Sequence, residues 1–171
     1  IEFRLAQTMI DGGANELGLD RMAQIVDTYP TTPEAYNAMQ LLLAAGREID
    51  DYQRGQVSYS YGDYEDAIDS FTQYTTQNAL SSIPANLHLL VGRAYREIGN
   101  SSAANVAFQI IVDTYKTDPL FGEALLEQGR TKFLAGDIPG AIETYFNIAQ
   151  TYDYLPEAAE ALWRVGYLYG T

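Results

Sequence analysis

One histidine, 23 Asp and Glu, 10 Lys and Arg and no cysteine are the side chains from which this chain could build chemistry. Without thiols there are no disulfides, zinc knuckles or cysteine nucleophiles. His88 lies between Leu87 and Leu89. A hydrolytic triad would need a serine on a Gly-x-Ser-x-Gly elbow, and no such motif occurs; nor does HExxH, a P-loop or a dinucleotide fingerprint. His88 therefore reads as a structural or surface histidine. Acidic residues pair at Asp50-Asp51, at Glu65-Asp66 and at Asp113 with Asp118. Glycoside hydrolysis needs two carboxyls flanking one cleft, one of them kept protonated by burial. These pairs fall at helix starts and on polar faces, where an anion simply favours the positive end of a helix. Asp63-Tyr64-Glu65-Asp66 is acidic but lacks the ligand spacing of a calcium loop. Asn100-Ser101-Ser102 has the form of a glycosylation sequon, yet sits at a helix junction where Asn caps. The expectation is no catalytic residue, no metal and no cofactor.

Composition narrows the classes further. In 171 residues, 47% are hydrophobic and 19% charged, which suits a folded chain and not a disordered one. The net charge of −13 opposes a phosphate backbone or an anionic lipid surface, so neither nucleic acid nor a membrane is an expected partner. The longest clean apolar run, Leu41 to Ala45, is far short of the roughly 20 residues a span needs. No signal-peptide layout is visible from Ile1, and the lack of cysteine does not decide the compartment. Tyrosine is unusually frequent, at 14 residues.

An internal period organises these residues. Gly55, Gly92, Gly129 and Gly166 are 37 apart; so are Gly62, Gly99 and Gly136, then Ala67, Ala104 and Ala141, then Phe71, Phe108 and Tyr145. Pro119 and Pro156, and Tyr115 and Tyr152, keep the same spacing. Gly62-Asp63, Gly99-Asn100 and Gly136-Asp137 end one helix and cap the next. The small column lets two helices approach, and the aromatic four residues on fills the groove between them. The prolines suit the first turn of a helix. Each unit is a helical hairpin.

Gly92, Tyr95, Gly99, Ala104 and Phe108 carry a resemblance to the tetratricopeptide repeat (TPR) family of divergent bacterial type, from about Gly13 to the end. Gly129, Gly136, Ala141 and Tyr145 continue it, with Lys132 in place of the first-helix aromatic, and Trp163, Gly166 and Tyr169 close it. The family period is about 34 residues, so three extra residues lie between the second-helix aromatic and the proline. The resemblance implies an all-α, right-handed superhelical solenoid of antiparallel hairpins, about ten helices.

The first unit repeats with a shift. Ile25-Val26-Asp27-Thr28-Tyr29 recurs as Ile111-Val112-Asp113-Thr114-Tyr115, and a 12-residue insertion between Pro33 and Gly62 accounts for the offset. Two helices are expected there, about Glu34 to Ala45 and Asp50 to Ser60, with Gly46 ending the first and Asp50 or Asp51 capping the second. The expected units are 1–33, 34–82 with the insertion, 83–118, 119–155 and an incomplete 156–171. Trp163, Val165, Tyr167 and Leu168 run uncapped to the end, which suggests a fragment of a longer protein and self-association through that last repeat.

In a TPR array the first helix of each unit lines the concave face. Side chains three and four apart share one side of a helix. Tyr52, Gln56 and Tyr59 make one stripe; Asn86, Leu89, Arg93 and Arg96 the next; then Glu123, Leu126, Arg130 and Phe133; then Glu160, Trp163 and Tyr167. Six of the ten cations, Arg54, Arg93, Arg96, Arg130, Lys132 and Arg164, lie on these four helices. Two readings are open. The stripes form a groove of aromatics and arginines for a peptide or carboxylate-bearing ligand, or the arginines pair with Glu97, Glu123, Glu127 and Glu160 while the aromatics fill the core. The arginine clamp of chaperone-binding members is not matched.

The expected function is a non-catalytic scaffold for a protein or peptide partner within a larger bacterial protein. Pro33-Glu34-Ala35-Tyr36 through Asp51-Tyr52-Gln53-Arg54-Gly55 to Gly62-Asp63-Tyr64 is also similar to the helical region of soluble lytic transglycosylases. That similarity implies an accessory domain of a peptidoglycan-cleaving enzyme, although no residue matches its catalytic domain. Tyr29-Pro30 and Gly62-Asp63-Tyr64 are shared with envelope assembly proteins, so periplasm or cell envelope is favoured over cytoplasm.

Overall fold

A computed structural model describes residues 1–170. Among them are ten α-helices and no strand: α1 (Glu2–Asp11), α2 (Asn15–Thr28), α3 (Pro33–Ala44), α4 (Asp51–Tyr61), α5 (Tyr64–Gln77), α6 (Ala85–Glu97), α7 (Ser101–Thr114), α8 (Leu120–Leu134), α9 (Ile138–Thr151) and α10 (Glu157–Tyr169). A 3₁₀ turn spans Leu80–Ser82. The chain divides into two compact units, Ile1–Ser82 and Ile83–Thr171.

The turns are written locally. At Gly62, Gly99 and Gly136 φ lies between +81° and +98°, a region open to glycine at no steric cost. The amide of the next residue then reaches back to the helix it leaves: Asp63 to the Ser58 carbonyl, Asn100 to Tyr95 and Asp137 to Lys132, at 2.8 to 2.9 Å. That is the Schellman closure. The same residue's side chain opens the following helix: Asn100 accepts from the Ala103 amide at 3.1 Å and Asp137 from the Gly140 amide at 3.0 Å. One dipeptide thus ends a helix and starts its antiparallel partner. Pro33 is the first residue of α3, whereas Pro119 and Pro156 stand one place earlier, at the N-caps of α8 and α10.

Within the hairpins α4/α5, α6/α7 and α8/α9 a glycine faces a ring. A Cβ on Gly55 would meet the Phe71 ring, one on Gly92 the Phe108 ring and one on Gly129 the Tyr145 ring. All three rings are completely buried. The 37-residue glycine column is thus a row of seats, each holding the aromatic 16 residues further on.

The first unit holds the added helix. Gly46, at φ +75°, follows α3, and Asp50 caps α4 by accepting from the Tyr52 and Gln53 amides. Its core joins Ala6, Met22, Ile25 and Val26 to Ala35, Met39, Leu42 and Val57. Tyr36 of α3 stacks on Tyr61 at 3.8 Å between ring centroids, and its hydroxyl donates to Asp63 at 2.7 Å. That donation, with burial and the negative charge around it, pushes the Tyr36 phenol up to about 12. In the second unit Leu89, Ala104, Phe108, Ile111 and Ala124 form one cluster, and Phe121, Leu125, Ala141, Tyr145, Ile148, Ala161 and Val165 another.

Candidate functional site

In the second unit the first helices of successive hairpins, α6, α8 and α10, line one cavity of about 360 Å³. Its wall carries Arg93 from α6, Glu123, Leu126, Glu127 and Arg130 from α8, and Glu157, Glu160 and Arg164 from α10. Their positions follow from the repeat. Arg93 and Arg130 occupy one 37-residue column, as do Glu123 and Glu160, and Glu127 and Arg164 occupy a third.

The first rung of this ladder is closed. Arg93 donates through Nε and Nη2 to Glu127 Oε1 at 2.9 and 2.7 Å and through Nη2 to Glu123. Arg96 donates through Nη1 to the other Glu127 oxygen. Glu127 is buried, and only 7% of the Arg96 side chain is exposed. Burial alone would raise the Glu127 carboxyl; the hydrogen bonds and charges of Arg96 and Arg93 outweigh it and hold the group below the usual carboxylate range. A carboxylate with two guanidiniums in such surroundings is a structural tie.

The second rung differs because Arg164 stands where Glu127 stood. Arg130 has no glutamate at the equivalent place on α10. Arg164 takes Glu160 through its own helical turn, Nε to Oε1 at 3.0 Å, and lies 5.5 Å from the centroid of the Tyr145 ring. Arg130 is exposed and, among the described residues, forms no salt bridge or hydrogen bond. The cavity therefore offers one uncommitted guanidinium beside the paired Arg93, Arg96 and Glu127.

The remaining expected residues are dispersed. Leu89 is buried in the core and the Arg96 side chain is buried against Glu127, so of that stripe only Arg93 lines the cavity, while Asn86 is half-buried. Phe133, Trp163 and Tyr167 line a separate hollow of about 200 Å³ with Tyr145, Arg164 and Leu168. Trp163 and Tyr167 stack there, centroids 5.6 Å apart. Arg164 borders both spaces. In the first unit Tyr52 packs on Phe71 and Tyr74, Tyr59 meets Tyr64 edge-on and Gln56 is half-buried. Arg54 pairs with Asp66, which also accepts from Ser58 at 2.6 Å. Of the four expected partners, Glu123, Glu127 and Glu160 do hold arginines, while among the described residues no such pair forms at Glu97. Arg164 and Glu157 line the cavity although no stripe contained them; the signal available was the substitution of Arg164 into the Glu127 column.

His88 is buried 5.8 Å from the Tyr115 ring centroid, and its Nε2 has no hydrogen-bond partner among the described residues. Burial holds its pKa below the ordinary histidine value. Among the described residues no group of three or more His, Cys, Asp or Glu could hold a metal ion, and no helix is long and apolar enough to cross a membrane.

These features define an all-α protein of TPR-like helical repeats. Among solved structures the chain is similar to a Podosopora anserina protein of nearly identical TPR-like repeats, assigned as a kinesin light chain, at 13% identity and a TM-score of 0.59. That match covers 99% of this chain and 84% of the other. A variant of that protein carrying one substitution matches at 13% identity and a TM-score of 0.58, over the same shares of both chains. No family model matches the sequence and no curated protein matches it. At this identity the likeness is one of fold.

Proposed function

We propose that this chain is a non-catalytic helical-repeat scaffold, and that the cavity along α6, α8 and α10 receives a carboxylate of a peptide segment at Arg130. The observation that carries the proposal is the exposed, unpaired Arg130 guanidinium on a wall where Arg93 and Arg164 are already held by glutamates. A guanidinium binds a carboxylate through two parallel charge-assisted bonds. The four glutamates on the same wall select against a highly acidic ligand, so one carboxylate set in an otherwise neutral or basic segment fits best. The hollow lined by Phe133, Trp163 and Tyr167 adjoins the cavity at Arg164 and suits an apolar side chain two or three residues away. Tyr52, Gln56 and Tyr59 belong to a separate candidate surface on the first unit. A setting in a bacterial cell-envelope protein is part of the proposal and stands on the Tyr29-Pro30 and Gly62-Asp63-Tyr64 phrases alone.

The test is selection of a random peptide library on the wild-type chain and on Arg130→Ala, followed by titration calorimetry of the selected peptides. Peptides carrying Asp or Glu should be enriched on the wild type and bind Arg130→Ala about tenfold more weakly, as loss of one charge-assisted contact requires. Melting should be unchanged, because Arg130 has no internal partner. Equal affinity for both proteins refutes the assignment.

A further inference from the structure

On the wall of the Arg130 cavity one charge of each sign is left unpaired. Glu123 and Glu127 hold Arg93, and Glu160 holds Arg164. The two that remain are Arg130 on α8 and Glu157 at the first position of α10. Among the described residues Glu157, which is half-buried, forms no salt bridge or side-chain hydrogen bond, and the two do not pair with each other. Its place is set by a glycine. A Cβ on Gly122 would run into Cγ, Cδ and Oε2 of Glu157, so this side chain rests against the bare backbone of α8. Neither residue is a feature of the repeat. The column of Gly122 holds Ala85 and Ala159, and that of Glu157 holds Ile83 and Leu120. Glycine inside a helix is less favourable than the alanine of its column, and what it admits here is a carboxylate on the cavity wall.

Gly122, Leu126 and Arg130 follow at four-residue steps and so share one face of α8, each a turn from the next. From the start of the helix that strip presents the Glu157 carboxylate, the half-buried Leu126 and the Arg130 guanidinium. At about 1.5 Å per residue, Gly122 and Arg130 are about 12 Å apart along the axis. An extended chain advances about 3.3 Å per residue and covers that distance in three to four residues. A helix, about 10 Å across, is too wide for a hollow of about 360 Å³. We infer that the cavity recognises an extended peptide segment of both charges: an acidic residue at Arg130, a Lys or Arg three or four residues away at Glu157, and an uncharged side chain over Leu126 between them. The inference rests on the assignment of a carboxylate to Arg130 and adds the neighbour that this carboxylate must have. Opposite charges at the two ends of the strip also fix the direction in which the segment lies.

The test selects a random peptide library in parallel on the wild-type chain, on Glu157→Gln and on Arg130→Ala. The most enriched wild-type peptide is then synthesised with blocked ends, alongside forms in which its acid or its base is replaced by glutamine, for titration calorimetry. The wild type should enrich peptides with Lys or Arg three or four residues from Asp or Glu. Glu157→Gln should keep the acid and lose the base, and Arg130→Ala should lose the acid. Removing the base should weaken binding to the wild type about fivefold, the upper range for a pair open to solvent, and leave binding to Glu157→Gln unchanged. Glutamine keeps the size of the side chain against Gly122, and circular dichroism checks that the melting is that of the wild type. An acid required without a base, or a base that matters equally to the wild type and Glu157→Gln, overturns this inference and leaves the Arg130 assignment standing. No enriched peptide, or no requirement for an acid on the wild type, overturns both.

Discussion

Replacing a helical glycine by alanine should have opposite signs at Gly129 and Gly166, although the two are equivalent in the repeat. In both helices alanine gains up to about 1 kcal/mol of intrinsic helix preference. At Gly129 the new methyl would stand 2.5 to 2.8 Å from three atoms of the Tyr145 ring. Ordinary carbon contacts need about 3.5 Å or more, so the ring would have to move by roughly 1 Å. Tyr145 is 1% exposed and packed in the cluster joining Leu125, Ile148 and Ala161, so a shift would have to push it toward the hollow it lines with Phe133 and Trp163. Overpacking of this kind costs about 1–3 kcal/mol, more than the helix gain in most of that range. The net expectation for Gly129→Ala is a loss of about 1–2 kcal/mol, a fall in Tm of roughly 2–8 °C for a chain of this size. At Gly166 nothing opposes the methyl, and Gly166→Ala should raise Tm by about 1–3 °C. Thermal melts followed by circular dichroism, with urea titrations to confirm an unchanged m-value, measure both. A Gly129→Ala protein as stable as wild type would refute the claim that a ring seated on glycine defines the hairpin.

Glu127→Ala should cost about 3–5 kcal/mol in urea unfolding, because Arg96 is left buried without its carboxylate. Since Glu127 titrates below its unfolded value, this contribution is present above about pH 4.5, declines as the pH falls through the lower folded value, and is absent from the stability–pH curve of Glu127→Gln. His88 is also depressed, so the unfolded chain binds its proton first and stability should fall as the pH drops below about 6.5; His88→Leu, matching Leu125 in the next repeat, should flatten that limb of a denaturation series. Tyr36 is raised, so its donation to Asp63 contributes below about pH 10 and is lost as the pH rises through about 12; Tyr36→Phe should remove a component titrating near 12 from the tyrosinate absorbance.

The elements were legible because their signals are local. A glycine that must take positive φ and an Asp or Asn that must cap lie next to each other in sequence, so Gly99-Asn100 and Gly136-Asp137 mark helix ends whatever surrounds them. The candidate site was legible only as a set of helix faces. Spacing places Leu89, Arg93 and Arg96 on one side of α6, but that side is wider than the strip facing the cavity. Which residues fall outside the strip depends on how α8 lies across α6, and the packing buries Leu89 and Arg96 while leaving Arg93 at the wall.

Alone, the sequence determined the helical hairpins, their period, the caps and the columns that meet across each turn, since these depend on backbone preference and on contacts between helices adjacent in the chain. Tertiary structure decided which ions were spent. Arg93, Arg96 and Glu127 neutralise one another because α6 and α8 pack closely enough to bury them, whereas Arg164 in the Glu127 column draws off Glu160 and leaves Arg130 open. It likewise decided that the glycines at positions 55, 92 and 129 each seat a ring from the following helix. Charge pairing and ring burial are properties of the space between helices, and no single helix encodes that space.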